Sequence, residues 1–357
     1  MNVWQKIWQR SLILSLFPIT LGISACLGWV WWSKASAPIQ PIQVTETANS
    51  PKPLQIEIPS GTAAQQIGSQ LEKAGLIREE LAWNLWARYL ALQDPKGGFQ
   101  AGTYELSPTQ PLSAIAQKIW QGEVVQKSFT IPEGWSIKQM AAYFQEKGFF
   151  SAQDFLDAAS QIDRNKFPWL PADLPRLEGF LYPDTYKISS GKITPQVIVN
   201  QMLGGFERVA LPLYEKARGK TKLDLKQWVT LASIVEKEAV VPQERKLIAG
   251  VFTSRLSKGM RLESDPTVEY GLGIRQTADK PLTFAQVKTA SPYNTYLNPG
   301  LPPTPIAAPG VASLEATLYP ENTDYLFFVA RYDGTHVFSR TLKEHEAAVV
   351  KIRRERQ

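Results

Sequence analysis

Along residues 225–239 the apolar side chains of Leu225, Trp228, Val229, Ala232, Val235 and Ala239 recur at spacings of three and four. That is the repeat of a helix burying one face. Asp224 stands just before the run, where its carboxylate can accept the free N–H groups of the first turn. Two carboxylates close the run, and they do not share a face. Glu236 follows Ala232 by four and Val235 by one, so it falls inside the apolar stripe. Glu238 lies well round the helix, near Leu231 and Ile234. An apolar setting penalises the anion, so the pattern predicts that Glu236 keeps its proton near neutral pH and can donate it. A pairing of Glu236 with a neighbouring Arg or Lys would explain the same position without any chemistry.

The same periodicity predicts helices over 195–214, 242–256 and 342–354, and a shorter one over 112–120. Residues 102–106 read as a strand, and residues 325–331 and 336–339 as a hairpin around Asp333-Gly334. An internal repeat is also present. Ile58-Pro59-Ser60-Gly61 opens a segment continued by Ile67, Leu71, Gly75 and Leu76. Ile131-Pro132-Glu133-Gly134 opens another, continued by Met140, Phe144, Gly148 and Phe149 at matching offsets. Each copy predicts a strand, a turn at the Gly and a short amphipathic helix stopped by Gly. These units resemble the LysM-like modules of wall-binding proteins, and duplicated packing units would look the same.

Residues 12–32 form an uncharged, mostly apolar run long enough to cross a bilayer as a helix. Lys6 and Arg10 precede it; Trp29, Trp31 and Trp32 end it, followed by Lys34. The positive flank predicts a cytoplasmic N-terminus with the bulk of the chain outside. Two rival readings are a signal peptide cut after Ser24-Ala25 and a lipoprotein box at Ile23-Ser24-Ala25-Cys26, acylated on Cys26. The apolar run continues past Cys26, which favours an uncleaved anchor. The Pro-, Ser- and Thr-bearing stretch that follows reads as a linker.

Composition narrows the chemistry. Of 357 residues 44% are hydrophobic and 20% charged, the balance of a folded protein. The net charge of +6 is spread out, which argues against a nucleic-acid partner and suits an anionic membrane surface or wall polymer. The single cysteine, Cys26, excludes an internal disulfide framework and a Cys-cluster metal site. The two histidines, His336 and His345, offer little for a Ser-His-Asp hydrolase or a zinc site. Loops rich in turn formers follow the central helix, at Glu263-Ser264-Asp265-Pro266-Thr267, Ser291-Pro292-Tyr293-Asn294-Thr295-Tyr296 and Gly300-Leu301-Pro302-Pro303. They suit a polar groove for a sugar chain, and ordinary turn chemistry accounts for any one of them alone.

Several strings in order carry a resemblance: LEGFLYPDTY from Leu177, LASIVEKEA from Leu231, GMRLESDPTVEYGLG from Gly259, SPYNTY from Ser291 and GLPPTPIAAPG from Gly300, closed by YLFFVA. Together they resemble the membrane-anchored endolytic murein (peptidoglycan) transglycosylases of bacteria. Thr304 is a departure, since the family often has Gly there. The resemblance implies an α+β protein with an N-terminal transmembrane helix, a small LysM-like α/β region and a mixed helical/β catalytic domain. The corresponding divisions are a cytoplasmic tail over 1–10, an anchor over 11–33, a linker over 34–53, a LysM-like region with the repeat over 54–160 and a catalytic domain over 161–357.

It further implies an enzyme of the bacterial inner membrane, single-pass, acting in the periplasm or outside. Such an enzyme cuts glycan strands between N-acetylmuramic acid and N-acetylglucosamine, leaving 1,6-anhydro ends and limiting or terminating strand growth. Its partners would be peptidoglycan, the membrane and candidate wall-synthesis proteins. In the family the catalytic acid is the Glu of the string matching SIVEKE, which this reading places on Glu236. A lytic transglycosylase needs one such acid and no metal or cofactor, because the sugar's own C6 hydroxyl attacks C1. Candidate saccharide-holding neighbours are Glu178, Tyr182, Glu238, Asp265, Tyr293, Asn294 and Tyr296. Two alternatives stand beside this reading. A non-catalytic wall-binding scaffold would need no acid, and a hydrolytic muramidase would need a second carboxylate from Glu238, Asp265 or Glu269.

Overall fold

Residues 24–35 are helical (α1), and their Trp31 and Trp32 side chains find partners within the protein. Trp31 donates its indole N–H to Glu79 at 3.0 Å, and Trp32 stacks on Trp86 with centroids 5.8 Å apart. The structure, a computed structural model, describes residues 24–40, 52–189, 193–277, 280–331 and 333–355. Most of the expected membrane span and of the linker lies outside those residues. Among the described residues no helix is long and apolar enough to cross a membrane.

The chain divides into two compact units, Met1–Lys127 with Lys187–Lys192, and Ser128–Tyr186 with Ile193–Gln357. In the first, β1 (Leu54–Ile58) runs antiparallel to β2 (Gly102–Leu106), with Leu54 opposite Leu106 and Ile58 opposite Gly102. Helices α2 (Ala64–Lys73) and α3 (Glu80–Gln93) lie between the strands in sequence, and α4 (Leu112–Trp120) follows them. Ile67, Leu71, Trp83, Tyr104, Ile115 and Ile119 form the core.

The second copy of the repeat has the same order: β3 (Gln126–Thr130), α5 (Ile137–Glu146), α6 (Ala152–Ala158) and β4 (Thr185–Ser189), with β3 paired to β4. Each copy is thus strand, two helices, strand. The strand expected over 102–106 closes the first copy, and the second helix of each copy and the closing strand of the second are additions to the expected unit. Gly61 and Gly134 turn the chain at φ of 82° and 74°, a region that costs glycine little. The division between units falls after residue 127, not at the expected 160/161. Helix α6 packs on both α5 and α7 and ties the second copy to the larger unit.

In that larger unit α7 (Pro195–Ala217), α8 (Leu225–Glu238) and α9 (Arg245–Ser257) match the expected helices. Asp224 caps α8 as expected: its Oδ1 accepts the Gln227 N–H at 2.8 Å, and the Gln227 side chain accepts the Asp224 N–H at 3.0 Å. Every residue of α8 from Trp228 to Val235 is buried, so the helix is the unit's central rod and has no single apolar stripe. Helix α12 (Val311–Leu318) packs across α7, α8 and α9, and the Trp228 indole N–H reaches the Leu314 carbonyl at 3.0 Å. A buried Trp of this kind is worth about 3–5 kcal/mol against Ala.

The stretch around Asp265, expected as a loop, opens helix α10 (Asp265–Leu272). Pro266 fits its first turn, where no N–H is needed, and Gly273 ends it in a left-handed conformation. After the short α11 (Phe284–Val287), the expected hairpin forms from β5 (Phe327–Ala330) and β6 (His336–Ser339), and α13 (Leu342–Glu355) closes the fold. The class is mixed α+β with small two-stranded sheets.

Candidate active site

Helix α8 ends in both carboxylates, and the structure gives them different surroundings. Glu236 is half-buried against the start of α12. Its Oε2 accepts the Gly310 N–H at 3.1 Å and the Ser313 hydroxyl at 2.6 Å. Gly310 is the residue capping α12, so the carboxylate sits where a helix favours negative charge. The apolar burial expected of Glu236 is therefore corrected: two donors hold it as a tie between helices. Beside it lies Glu133, from the turn of the second repeat. Burial raises the Glu133 pKa, the charge of Glu236 adds to the rise, and Arg245 opposes it.

Glu238, half-buried like Glu236, takes on the desolvation that the sequence pattern assigned to Glu236, in a polar setting and not an apolar one. Burial pushes its pKa up to about 7, the charges of Asp265 and Glu269 add to the shift, and the Ser264 hydroxyl draws it back. Ser264 Oγ donates to Glu238 Oε1 at 2.6 Å. Glu238 borders a cavity of about 900 Å³ together with Asp265, Glu269, Tyr296 and Arg255. The physical reason for the exchange is the enclosure of α8. With both flanks of the rod covered, its last turn emerges beside the chain leading into α10, and Glu238 is the side chain on that flank.

That chain is firmly placed. Arg255, buried on α9, donates to the carbonyls of Leu326, Arg261 and Leu262 and to Glu263 Oε2, at 2.6 to 3.0 Å. Glu263 is held at φ 53°, unusual for a residue other than glycine, with its N–H on the Thr295 carbonyl at 3.2 Å. The next residue, Ser264, has its N–H bound by Thr295 Oγ1 at 3.0 Å. Asp265 accepts from the Tyr296 hydroxyl at 2.7 Å and from Gln276 at 3.3 Å. The 291–296 loop thus sets both Ser264 and Asp265.

The remaining expected residues divide. Asn294 is buried and spends its side chain on the Val287 and Thr289 carbonyls, both at 2.8 Å, which fixes the loop. Tyr293 shares a hydrogen bond with Thr304 at 2.9 Å. Tyr182 is buried. Glu178, 2% exposed, accepts the Ile137 N–H at 2.9 Å and the Tyr270 hydroxyl at 2.7 Å. Burial pushes its pKa up to about 7. Tyr270 lines a second pocket, of about 420 Å³, with Tyr293, Lys237 and Glu269. Ser264, Tyr270 and Glu133 were not singled out from sequence; the helix start signalled by Asp265-Pro266 is the clue that could have found the first two. Among the described residues no three His, Cys, Asp or Glu side chains are grouped to hold a metal ion. What the arrangement can do is transfer a proton at Glu238 in a cavity large enough for sugar units.

A model of the YceG-like family matches residues 56–351. A Bacillus subtilis (strain 168) protein named endolytic murein transglycosylase is 35% identical over 308 residues, 82% of this chain and 83% of the relative. One of the same name from Streptococcus pneumoniae serotype 2 (strain D39 / NCTC 7466) is 32% identical over 331 residues, 85% of this chain and 59% of the relative. The crystal structure of a yceG-like protein from Listeria monocytogenes is 33% identical with a TM-score of 0.57, covering 83% of this chain and 99% of that one.

Proposed function

The chain belongs to the YceG-like family, and on that premise we propose that it is a murein transglycosylase acting on peptidoglycan glycan strands. The cut falls within strands, between N-acetylmuramic acid and N-acetylglucosamine, without water, and limits the growth of new strands. The observation that carries this reading is Glu238: a carboxyl raised to about 7 on the wall of a large cavity.

Glu238, protonated near neutral pH, donates its proton to the glycosidic oxygen as the bond from that oxygen to C1 breaks. The C6 hydroxyl of the same muramoyl residue then attacks C1, and its proton passes to the Glu238 carboxylate. The acid is restored and a 1,6-anhydro ring closes the product. The role expected of Glu236 moves two residues along the same helix, while Glu236 holds that helix end to α12. Asp265 and Glu269 beside Glu238 also supply the second carboxylate of a hydrolytic reading, in which one of them would activate water.

The test is a digest of purified peptidoglycan by the chain, its products weighed by mass spectrometry. Products lighter by one water than reducing-end fragments support transglycosylation. Reducing ends would turn the assignment to hydrolysis, and intact strands would refute the enzyme reading. The apolar run over 12–32 supports a single-pass anchor with the two units outside the cytoplasm. The duplicated strand–helix–helix–strand units support wall binding. A reporter fused after Pro53 and active only in the cytoplasm would overturn the first. Failure of the first copy to sediment with insoluble wall would overturn the second.

A further inference from the structure

The 420 Å³ pocket is bordered by four cationic side chains, Lys138, Arg176, Lys237 and Arg275, against one carboxylate, Glu269. Among the described residues none of the four is in an ion pair. The positions are fixed by different elements. Lys138 extends from α5 to the end of α10, where its ammonium lies 3.8 Å from the point a side chain on Gly273 would occupy. Lys237, on α8, reaches the Gly134 carbonyl at 3.5 Å. Arg176 lies near the Glu178–Tyr270 pair and acts on both electrostatically. The floor is rigid: Tyr270 is bonded to Glu178 and meets Tyr293 edge-on at 4.8 Å. Backbone at Gly134, Gly271 and Gly273 lines the walls, which allows a ligand chain close approach.

This pocket adjoins the Glu238 cavity, since Lys237, Pro266, Glu269 and Arg275 border both. A glycan strand held over Glu238 carries, on each muramoyl residue, a peptide stem with free carboxylates. We infer that the cationic pocket is the subsite for that anionic stem, so that the enzyme recognises peptide-bearing strands over bare ones. The inference rests on the peptidoglycan reading of the neighbouring cavity. Arginine and lysine on a partly enclosed rim are suited to carboxylates, Arg by paired N–H donors and Lys as a point charge.

The experiment measures binding to the full chain, apart from cleavage. Three probes are compared: the disaccharide bearing its peptide stem, the same compound with the stem carboxylates amidated, and the disaccharide without peptide. The stem-bearing probe should bind about tenfold tighter than either control at low salt, an advantage that shrinks as salt screens it. Combined Lys138→Gln and Arg176→Gln substitutions, at the two cations that border this pocket and not the Glu238 cavity, should remove most of that advantage and leave the bare disaccharide's affinity unchanged. Charge-retaining Lys138→Arg and Arg176→Lys should preserve it. Equal affinity of the unmodified chain for all three probes would overturn the subsite, as would an advantage kept in the neutralised variant. Stem-selective binding without strand cleavage would keep the subsite and refute the transglycosylase.

Discussion

Ser264 Oγ lies 2.6 Å from Glu238 Oε1, and this one hydrogen bond joins the end of α8 to the start of α10. It is the contact that separates the two carboxylates of the helix. Glu238 meets a hydroxyl in a cavity flanked by acids, whereas Glu236 meets a helix N-terminus. The same residue type, two positions apart, stands on a cavity wall in one place and ties two helices together in the other.

Substitution tells them apart. Glu238→Gln keeps an acceptor for Ser264 but has no transferable proton, so strand cleavage should fall by about 10² to 10⁴. Glu236→Gln still offers an oxygen to Gly310 and Ser313, and cleavage should stay within about tenfold. Rates of anhydro-end release, with thermal unfolding as the control for folding, decide it. The opposite ranking would return the proton to Glu236, as the apolar stripe alone implies.

The pH profile is a second handle. A donor must be protonated, so kcat/KM should fall as pH rises through about 7, the value to which burial pushes Glu238. The Ser264 hydrogen bond favours the ionised form. In Ser264→Ala the alkaline limb should therefore move to higher pH, and an unmoved limb would mean that another group sets it.

Much of this was legible in the sequence, and the misses have physical causes. Asp224 as a cap, the helices over 195–214 and 242–256, and the hairpin at Asp333-Gly334 follow from local patterns. The desolvation of Glu238 does not. It depends on Ser264, Asp265 and Glu269, brought in by a helix whose eight residues include a Pro and a Gly and read as a loop. Helix α12 is equally short, and its cap and first turn supply the two donors found for Glu236 among the described residues. Helical periodicity locates an apolar face when only one side is covered. Where α8 is buried all round, it cannot say which carboxylate is desolvated.

Ser313→Ala tests the tie at Glu236. It removes the hydroxyl at 2.6 Å and leaves a carboxylate with the Gly310 N–H. Hydrogen bonds to charged groups are worth about 1.5–3 kcal/mol, so the urea midpoint should fall correspondingly. Cleavage measured well below that midpoint should be nearly unchanged. An unchanged midpoint would mean that the contact contributes nothing to the packing of α8 on α12.

Glu178 offers a prediction about stability alone. It is 2% exposed, and burial lifts its pKa from 4.5 to about 7 in spite of donors from Ile137 and Tyr270. The folded state therefore binds a proton more tightly than the unfolded chain. That contribution is fully present below pH 4.5 and is lost as pH rises through about 7, so stability declines across the interval. The size of the loss is about 3 kcal/mol, from about 1.4 kcal/mol for each pKa unit. Glu178→Gln keeps the carbonyl that accepts from Ile137, and its amide can donate to the Tyr270 oxygen, yet it has nothing to ionise. Urea unfolding of both proteins at pH 5 and pH 8 isolates the effect, because other titrating groups cancel in the difference. The variant should gain on the parent by about 3 kcal/mol between the two pH values. A gap that does not change with pH would show that Glu178 is not kept protonated in the fold, and that its bonds to Ile137 and Tyr270 hold a carboxylate.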